Sequence, residues 1–261
     1  LYLYFYAVIR VVLIGSGNLA YHLHQALLGA QDVSLLGLVA RRPEALADFE
    51  ATLPRKTLGA TPDSADVYIL AVADDAIAEV MSHYEGRDGL FVHTSGAMGL
   101  EVLEGAPRQG VLYPLQTFSR QRVIEFQKVP LCIEAGLESD AELLITLARA
   151  LSIEVHEIST SKRRALHLAA VYVNNFSNHM MYLGETICAE AGLSKSLLGP
   201  LLEDTCAKAT ALSAYSAQTG PARRNDTETL QAHLRLLIGE KDKELYTKIS
   251  ESIYRTYEQE L

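Results

Sequence analysis

Val8-Ile-Arg10-Val-Val-Leu-Ile14-Gly15-Ser16-Gly17-Asn18-Leu19-Ala20-Tyr-His-Leu-His-Gln-Ala-Leu-Leu28 is the stretch whose reading decides the fold. An apolar, β-branched run stops at a pair of glycines and resumes with helical spacing, the order of a buried strand turning tightly into a helix. The glycines fall at G-x-G-x-x-A. Gly15 suits the tight turn, Gly17 lets a pyrophosphate approach the backbone, and the small Ala20 lets helix and strand pack closely. Free N–H groups and the positive dipole end of the helix then face the phosphates, with Ser16, Asn18 and Leu19 supplying the backbone around them. The pattern also serves as a plain structural turn elsewhere, but here a strand precedes it and a helix follows, so the spacing predicts a dinucleotide site.

Outward from that stretch, 33–39 reads as a second strand ending at Ala40-Arg41-Arg42-Pro43. About 20 residues past the glycine motif, NAD-binding chains need an acidic residue for the ribose 2′-hydroxyl. This chain has Arg41 and Arg42 there instead. Guanidinium groups suit a 2′-phosphate, so the expected cofactor is NADP. Segment 44–53 is helical in period, and 58–61 reads as a short third strand or a turn. A buried strand at 66–73 ends at Asp74-Asp75, where Asp74 is expected to cap the next helix. Val72 and Ala73, at that strand's carboxyl end, are placed to line the cofactor cleft.

The strand 90–97 turns polar at His93-Thr94-Ser95-Gly96, a candidate close-approach loop over the cofactor, with His93 read as a satisfied strand-end histidine. Strand 110–115 leads into Tyr113-Pro-Leu-Gln116-Thr-Phe118-Ser119, whose polar members either hydrogen-bond a substrate or fix a turn. Strands at 128–134 and 153–158 flank an amphipathic helix at 139–151. Strand signal then stops. The fold class is therefore α/β, a Rossmann-like, doubly wound, mainly parallel sheet over residues 1–158, followed by an all-α domain over 159–261.

A long apolar helix, 161–191, opens the helical part. At 100° per residue Asn174 and Asn178 fall within about 20° of His167, and Arg163 about 40° away. Two readings stand: a hydrogen-bonded network inside a helical interface, or a cleft wall with His167 as proton donor and Asn174 and Asn178 orienting a substrate. Gly192 closes this helix and Pro200 opens another that runs to about residue 217. A turn-rich loop then carries Arg223 and Arg224, and Asp226 caps a helix at 227–238. Arg223 is the first candidate for an acidic substrate's carboxylate, although loop arginines are usually just solvated.

Composition narrows the classes of function. The 261 residues are 49% hydrophobic and 21% charged, with a net charge of -9, and no basic run marks a nucleic-acid surface. Residues 1–9 are apolar but too short for a membrane span and lack a basic leader, so an ordered arm or an extension of the first strand is expected. Cys132, Cys188 and Cys206 are far apart, with no metal-ligand spacing, and are expected to be buried, reduced thiols in a cytoplasmic protein.

The chain resembles a bacterial family of Rossmann-like NADP oxidoreductases with a helical C-terminal domain of undefined function. Gly15-Ser-Gly17-Asn-Leu-Ala20, His93-Thr-Ser95-Gly96, Tyr113-Pro-Leu-Gln116-Thr-Phe118, His167-Leu-Ala-Ala-Val-Tyr-Val-Asn174-Asn175-Phe and Gly220-Pro-Ala-Arg223 carry the resemblance. More distantly it is similar to pyrroline-carboxylate reductases, 3-hydroxyacid dehydrogenases and deazaflavin-dependent NADP reductases. The resemblance implies a nucleotide domain, a helical domain that forms a homodimer, and an active-site cleft between the two. Hydride would pass between NADP(H) and a small carbonyl or imine compound, with Ser95, Gln116 and Asn174 orienting it. The catalytic Lys that hydroxyacid dehydrogenases place four residues before an Asn is absent, since Ala170 and Val171 stand there. The rival expectation is a dinucleotide sensor or dimeric interaction protein without catalysis.

Overall fold

Odd and even residues of the first strand are both buried in the computed structural model, which describes residues 8–60 and 64–260. Strand β1 (Ile9–Ile14) sends Val11 and Leu13 to one face of a sheet and Val12 and Ile14 to the other. A strand apolar on both faces needs helices on both faces, which the rest of the first unit supplies. Helix α1 (Asn18–Gly29) follows the glycine turn, then β2 (Val33–Ala40), β3 (Arg55–Thr57), β4 (Val67–Leu70), helix α2 (Ile77–Ser82), β5 (Leu90–His93), β6 (Arg108–Pro114), β7 (Leu131–Ala135), helix α3 (Glu138–Leu151) and β8 (Val155–Glu157). Leu23 and Leu27 of α1 and Leu144 and Leu147 of α3 share one core; Ile77, Val80 and Met81 of α2 pack in the other.

The eight strands lie in the order β3-β2-β1-β4-β5-β6-β7-β8. Neighbours run parallel throughout except that β7 is antiparallel to β6. The chain leaves β1 in one direction and returns at β4 on its other side, so a crevice opens beyond the carboxyl ends of these two strands. This is the doubly wound, mainly parallel α/β arrangement expected from the sequence.

Several local expectations are corrected. Segment 44–53 forms only a single 3-10 turn, Pro43–Leu46, before the chain bends away. The third strand is Arg55–Thr57, earlier than residues 58–61, because Gly59 at φ 86° already turns the chain. Asp74 is no side-chain cap. A 3-10 turn, Asp74–Ala76, sits between β4 and α2, and its N-cap position is Ala73. The arm expected at residues 1–9 lies outside the described residues except for Val8 and Ile9, and Ile9 opens β1.

After β8 all described structure is helical: α4 (Thr160–Ala170), a π-helical turn (Val171–Phe176), α5 (Ser177–Glu190), α6 (Gly199–Leu212), α7 (Ala214–Ala217), α8 (Thr227–Leu236) and α9 (Glu240–Tyr257). The chain forms two compact units, Leu1–Ser177 and Asn178–Leu261, so the first unit keeps α4 and the π-turn. Gly192, at φ 69°, ends the α5 run, where Leu193 N–H reaches back to Cys188 O. Asp226 caps α8, accepting from Thr229 N–H at 3.1 Å. The helix expected to run to residue 217 breaks at Ser213, whose φ is 87°. The thiols are free, but only Cys132 is buried, and Cys206 is exposed.

Candidate functional site

Gly15 is indispensable to the turn itself. Its φ is 139°, and a Cβ there would stand 2.1 Å from Ala71 O, so the turn and the end of β4 touch backbone to backbone. Gly17 differs: a Cβ on it would meet nothing of the protein within 4 Å. Its small size matters only to something outside the chain. The crevice in front of it has a volume of about 690 Å³, and residues 15–19, Arg41, Arg42, Val72 and Ala73 all line it. Exposed N–H groups at the start of α1 face phosphates readily, and the site is large enough for a nucleotide. These residues fit a dinucleotide.

At the crevice mouth Arg41 reaches Glu79 of α2 at 3.3 Å, both side chains being largely exposed. Glu79 went unnoticed in the sequence because it is distant from Arg41 in the chain. Thr94, by contrast, is buried and donates its hydroxyl to Leu70 O at 3.3 Å, and it is not among the residues lining the crevice.

The loop leaving β6 is fastened to the glycine turn. Asn18 Nδ2 donates to Phe118 O at 3.0 Å and His22 Nε2 to Ser119 O at 3.0 Å. Arg120 donates to Ser16 O at 2.6 Å, pairs with Asp48 at 2.7 Å and lies over the Tyr21 ring, 5.4 Å from its centroid.

A second cavity, of about 300 Å³, adjoins the carboxyl end of β6. It gathers Tyr113, Gln116 and Thr117 with His167, Asn174 and Asn175. The Tyr113 phenol and His167 Nδ1 lie 3.1 Å apart. Gly96 makes this possible, because a Cβ there would fall 2.6 Å from His167 Nδ1 and 2.8 Å from Tyr113 Cζ. Burial is the main cause that raises the Tyr113 phenol above its ordinary range, and Cys132 adds to it against an opposing Arg163. The π-turn supplies Val171, Val173, Asn174 and Asn175 to the wall. An i→i+5 turn holds more residues than an α-turn, and such turns frequently occur at functional sites.

That turn corrects the polar stripe inferred at a constant 100° per residue. Residues beyond it are out of the register assumed for His167 and Asn178. Arg163 lies before the turn, in the same helix as His167, and follows the network reading: it is fully buried, pairs with Glu134 and donates to Met98 O. Burial pushes the Glu134 carboxyl up, but hydrogen bonds from Thr160 and Arg163 outweigh it and hold the group below its ordinary range. Ser95 Oγ accepts from Ala97 and Met98 N–H at 3.1 Å each, which shapes its own loop. His93 is satisfied within the same loop, accepting from Ser95 N–H at Nδ1 and donating from Nε2 to Gly99 O. Asn178 and Arg223 belong to the second unit. There Arg223 donates to Gln218 O and stacks 4.8 Å from the Tyr257 ring centroid. Among the described residues no group of His, Cys, Asp and Glu forms a metal site, and no helix is long and apolar enough to cross a membrane.

Strand order, glycine turn and crevice together define a Rossmann-type fold of the dinucleotide-binding class. A solved structure from Bacteroides fragilis, described as a candidate NADP oxidoreductase, is 34% identical, covers 96% of this chain and 99% of its own, and has a TM-score of 0.86. The chain belongs to the same family, that of the Rossmann-like NADP oxidoreductases, and residues 129–253 match a domain of unknown function, DUF2520. The fold alone is shared with a pyrroline-5-carboxylate reductase from Coxiella burnetii (16% identity, 97% and 98% coverage, TM-score 0.55). It is shared too with a reductive aminase from Aspergillus terreus solved with NADPH and ethyl-5-oxohexanoate (11% identity, 97% and 93% coverage, TM-score 0.67). A search of curated proteins finds no match.

Proposed function

We propose that the protein is an NADP-dependent oxidoreductase acting on a small carbonyl or imine compound. The observation that carries this reading is the crevice bounded by the open Gly17 and the Arg41–Arg42 pair. The nucleotide would supply or accept hydride. The chain's part is to hold the phosphates on residues 15–19, to meet a 2′-phosphate with Arg41 and Arg42, and to exchange a proton through His167. Gln116 and Asn174, beside His167 in the second cavity, orient the compound. Ser95 and Arg223, the latter for an acidic compound, are proposed as substrate contacts on the family resemblance, whereas Asn178 is placed by helical spacing alone, which the π-turn shifts.

The second unit supports a homodimer. Among its described residues only Ala222 and Tyr257 are buried hydrophobics, whereas Ile187, Leu197, Leu201, Leu212 and Leu236 are exposed. Helices with so little buried apolar surface need a further partner to cover them. A cytoplasmic location is proposed from the sequence, whose three cysteines are odd in number and far apart.

Calorimetric titration with NADPH and NADH tests the reading. Tight NADPH binding, lost in Gly17→Val and selectively weakened in Arg41→Ala, is the expected result; binding of neither nucleotide removes the oxidoreductase reading.

A further inference from the structure

We infer that Tyr113 and His167 form the proton-transfer pair of the second cavity, with the Tyr113 phenol as the group that protonates the bound compound and His167 as its proton reservoir. The inference deepens the oxidoreductase reading and rests on it. Its evidence is placement. Tyr113 stands at the carboxyl end of β6, parallel to β1, β4 and β5, and therefore on the edge of the sheet that carries the glycine turn. In the sheet order β1 and β6 are separated by three strand spacings, about 14 Å at roughly 4.8 Å each.

The phenol is held for this work. It lies 3.1 Å from His167 Nδ1, its ring edge-on to the imidazole at 5.9 Å between centroids and 74° between planes. Phenol and Nδ1 share one hydrogen along that line. The loop at Gly96 closes over the pair so tightly that no side chain fits. The groups whose charge bears on the phenol are Cys132 on β7, Arg163 on α4 and Asp74 after β4, and its burial keeps it protonated at neutral pH. Gln116 and Asn174 line the same cavity and supply amides that fix a polar atom in front of it.

With hydride supplied to the carbon by a bound reduced nicotinamide, its oxygen or nitrogen would gain an electron pair. The Tyr113 O–H bond breaks and its proton goes to that atom, leaving phenolate. As Nδ1–H of His167 protonates the phenolate, a water protonates Nε2 and leaves as hydroxide, so the ring passes from one neutral tautomer to the other. In the oxidative direction every transfer reverses.

The test combines NMR and turnover in the whole chain. The ring-nitrogen resonances of His167 are recorded in the wild type and in Tyr113→Phe, and assigned by their loss in His167→Gln. A hydrogen bond between Nδ1 and the phenol predicts that the Nδ1 resonance moves when the hydroxyl is removed. An unmoved Nδ1 resonance overturns the pair, whether or not a substrate is known. NADPH oxidation is then followed with cyclohexanone and with 1-pyrroline as probes. Tyr113→Phe should lower kcat about 10²–10⁴-fold while the Kd for NADPH stays put; undiminished turnover overturns the phenol as donor. Failure of the wild type to bind NADPH would instead remove the oxidoreductase reading, and it is seen before any variant is made.

Discussion

A Cβ on Gly96 would lie 2.6 Å from His167 Nδ1, inside the distance that any real side chain tolerates. The glycine is there for a neighbour on another element rather than for its own backbone, since its φ is not in the left-handed region. Gly96→Ala should therefore fold, with the His167 ring displaced. Misplacement of a reacting group by about 1 Å costs on the order of 10²-fold in rate. Turnover should fall by that order with NADPH affinity unchanged; full activity in Gly96→Ala would show that His167 can move without consequence.

Gly15 and Gly17 should respond oppositely to substitution. Gly15→Ala drives a methyl into Ala71 O in a backbone conformation that side chains avoid, and the expected outcome is a large loss of stability in urea unfolding. At Gly17 a Cβ meets no protein atom within 4 Å, so Gly17→Val has room in the protein for its branch point. Its cost should stay near the about 1 kcal/mol of an unfavourable N-cap residue, while NADPH binding disappears. Equal destabilisation by both changes would count against a ligand in front of Gly17.

Arg41 is shared between the crevice and Glu79, its partner at 3.3 Å. An exposed pair of this kind adds little stability. Its carboxylate nonetheless competes with any phosphate for the same guanidinium. Glu79→Gln should tighten NADPH binding several-fold, with little effect on NADH and on thermal stability. Calorimetry of both nucleotides checks this, and a uniform change in both affinities would refute it.

His93 makes stability depend on pH. Burial first, and then the neighbouring Arg163, lower its pKa from 6.5 to about 4, against smaller opposing effects from the Gly99 carbonyl, Asp74 and Glu134. The unfolded chain accepts a proton below pH 6.5 that the folded chain refuses. Stability from this group is therefore complete above pH 6.5 and falls as the pH drops toward 4. At about 1.4 kcal/mol per pKa unit the loss is on the order of 3 kcal/mol. Urea unfolding between pH 7 and 4.5 should show a shallower decline in His93→Gln than in the wild type.

The glycine turn, the presence of the strands and the Asp226 cap were legible because each follows a local rule written in adjacent residues, whereas strand ends were not: the strands expected at 66–73 and 90–97 stop at Leu70 and His93. Val8 to Leu28 contains its own turn chemistry, and Arg41 stands at a fixed distance from it. Other features depend on partners far away in the chain. Tyr113 and His167 meet across 54 residues, and Arg163 and Glu134 across 29. On a helical wheel Arg163 falls on the polar face with His167, but the wheel does not name its partner, Glu134 on another element, which lets so large a side chain be fully buried. The π-turn leaves no mark in the sequence, because Val171-Tyr-Val-Asn-Asn-Phe176 carries no breaker and reads as one regular helical period. A capping rule failed at Asp74 because a 3-10 turn precedes the helix.

The ties from Asn18 to Phe118 and from Arg120 to Ser16 join the nucleotide turn to the loop that delivers Gln116. The two segments are therefore tied backbone to side chain in both directions. Any coupling between a compound at Gln116 and a ligand against the glycine turn would be reciprocal, and its shortest route is this pair of hydrogen bonds, away from either reacting atom.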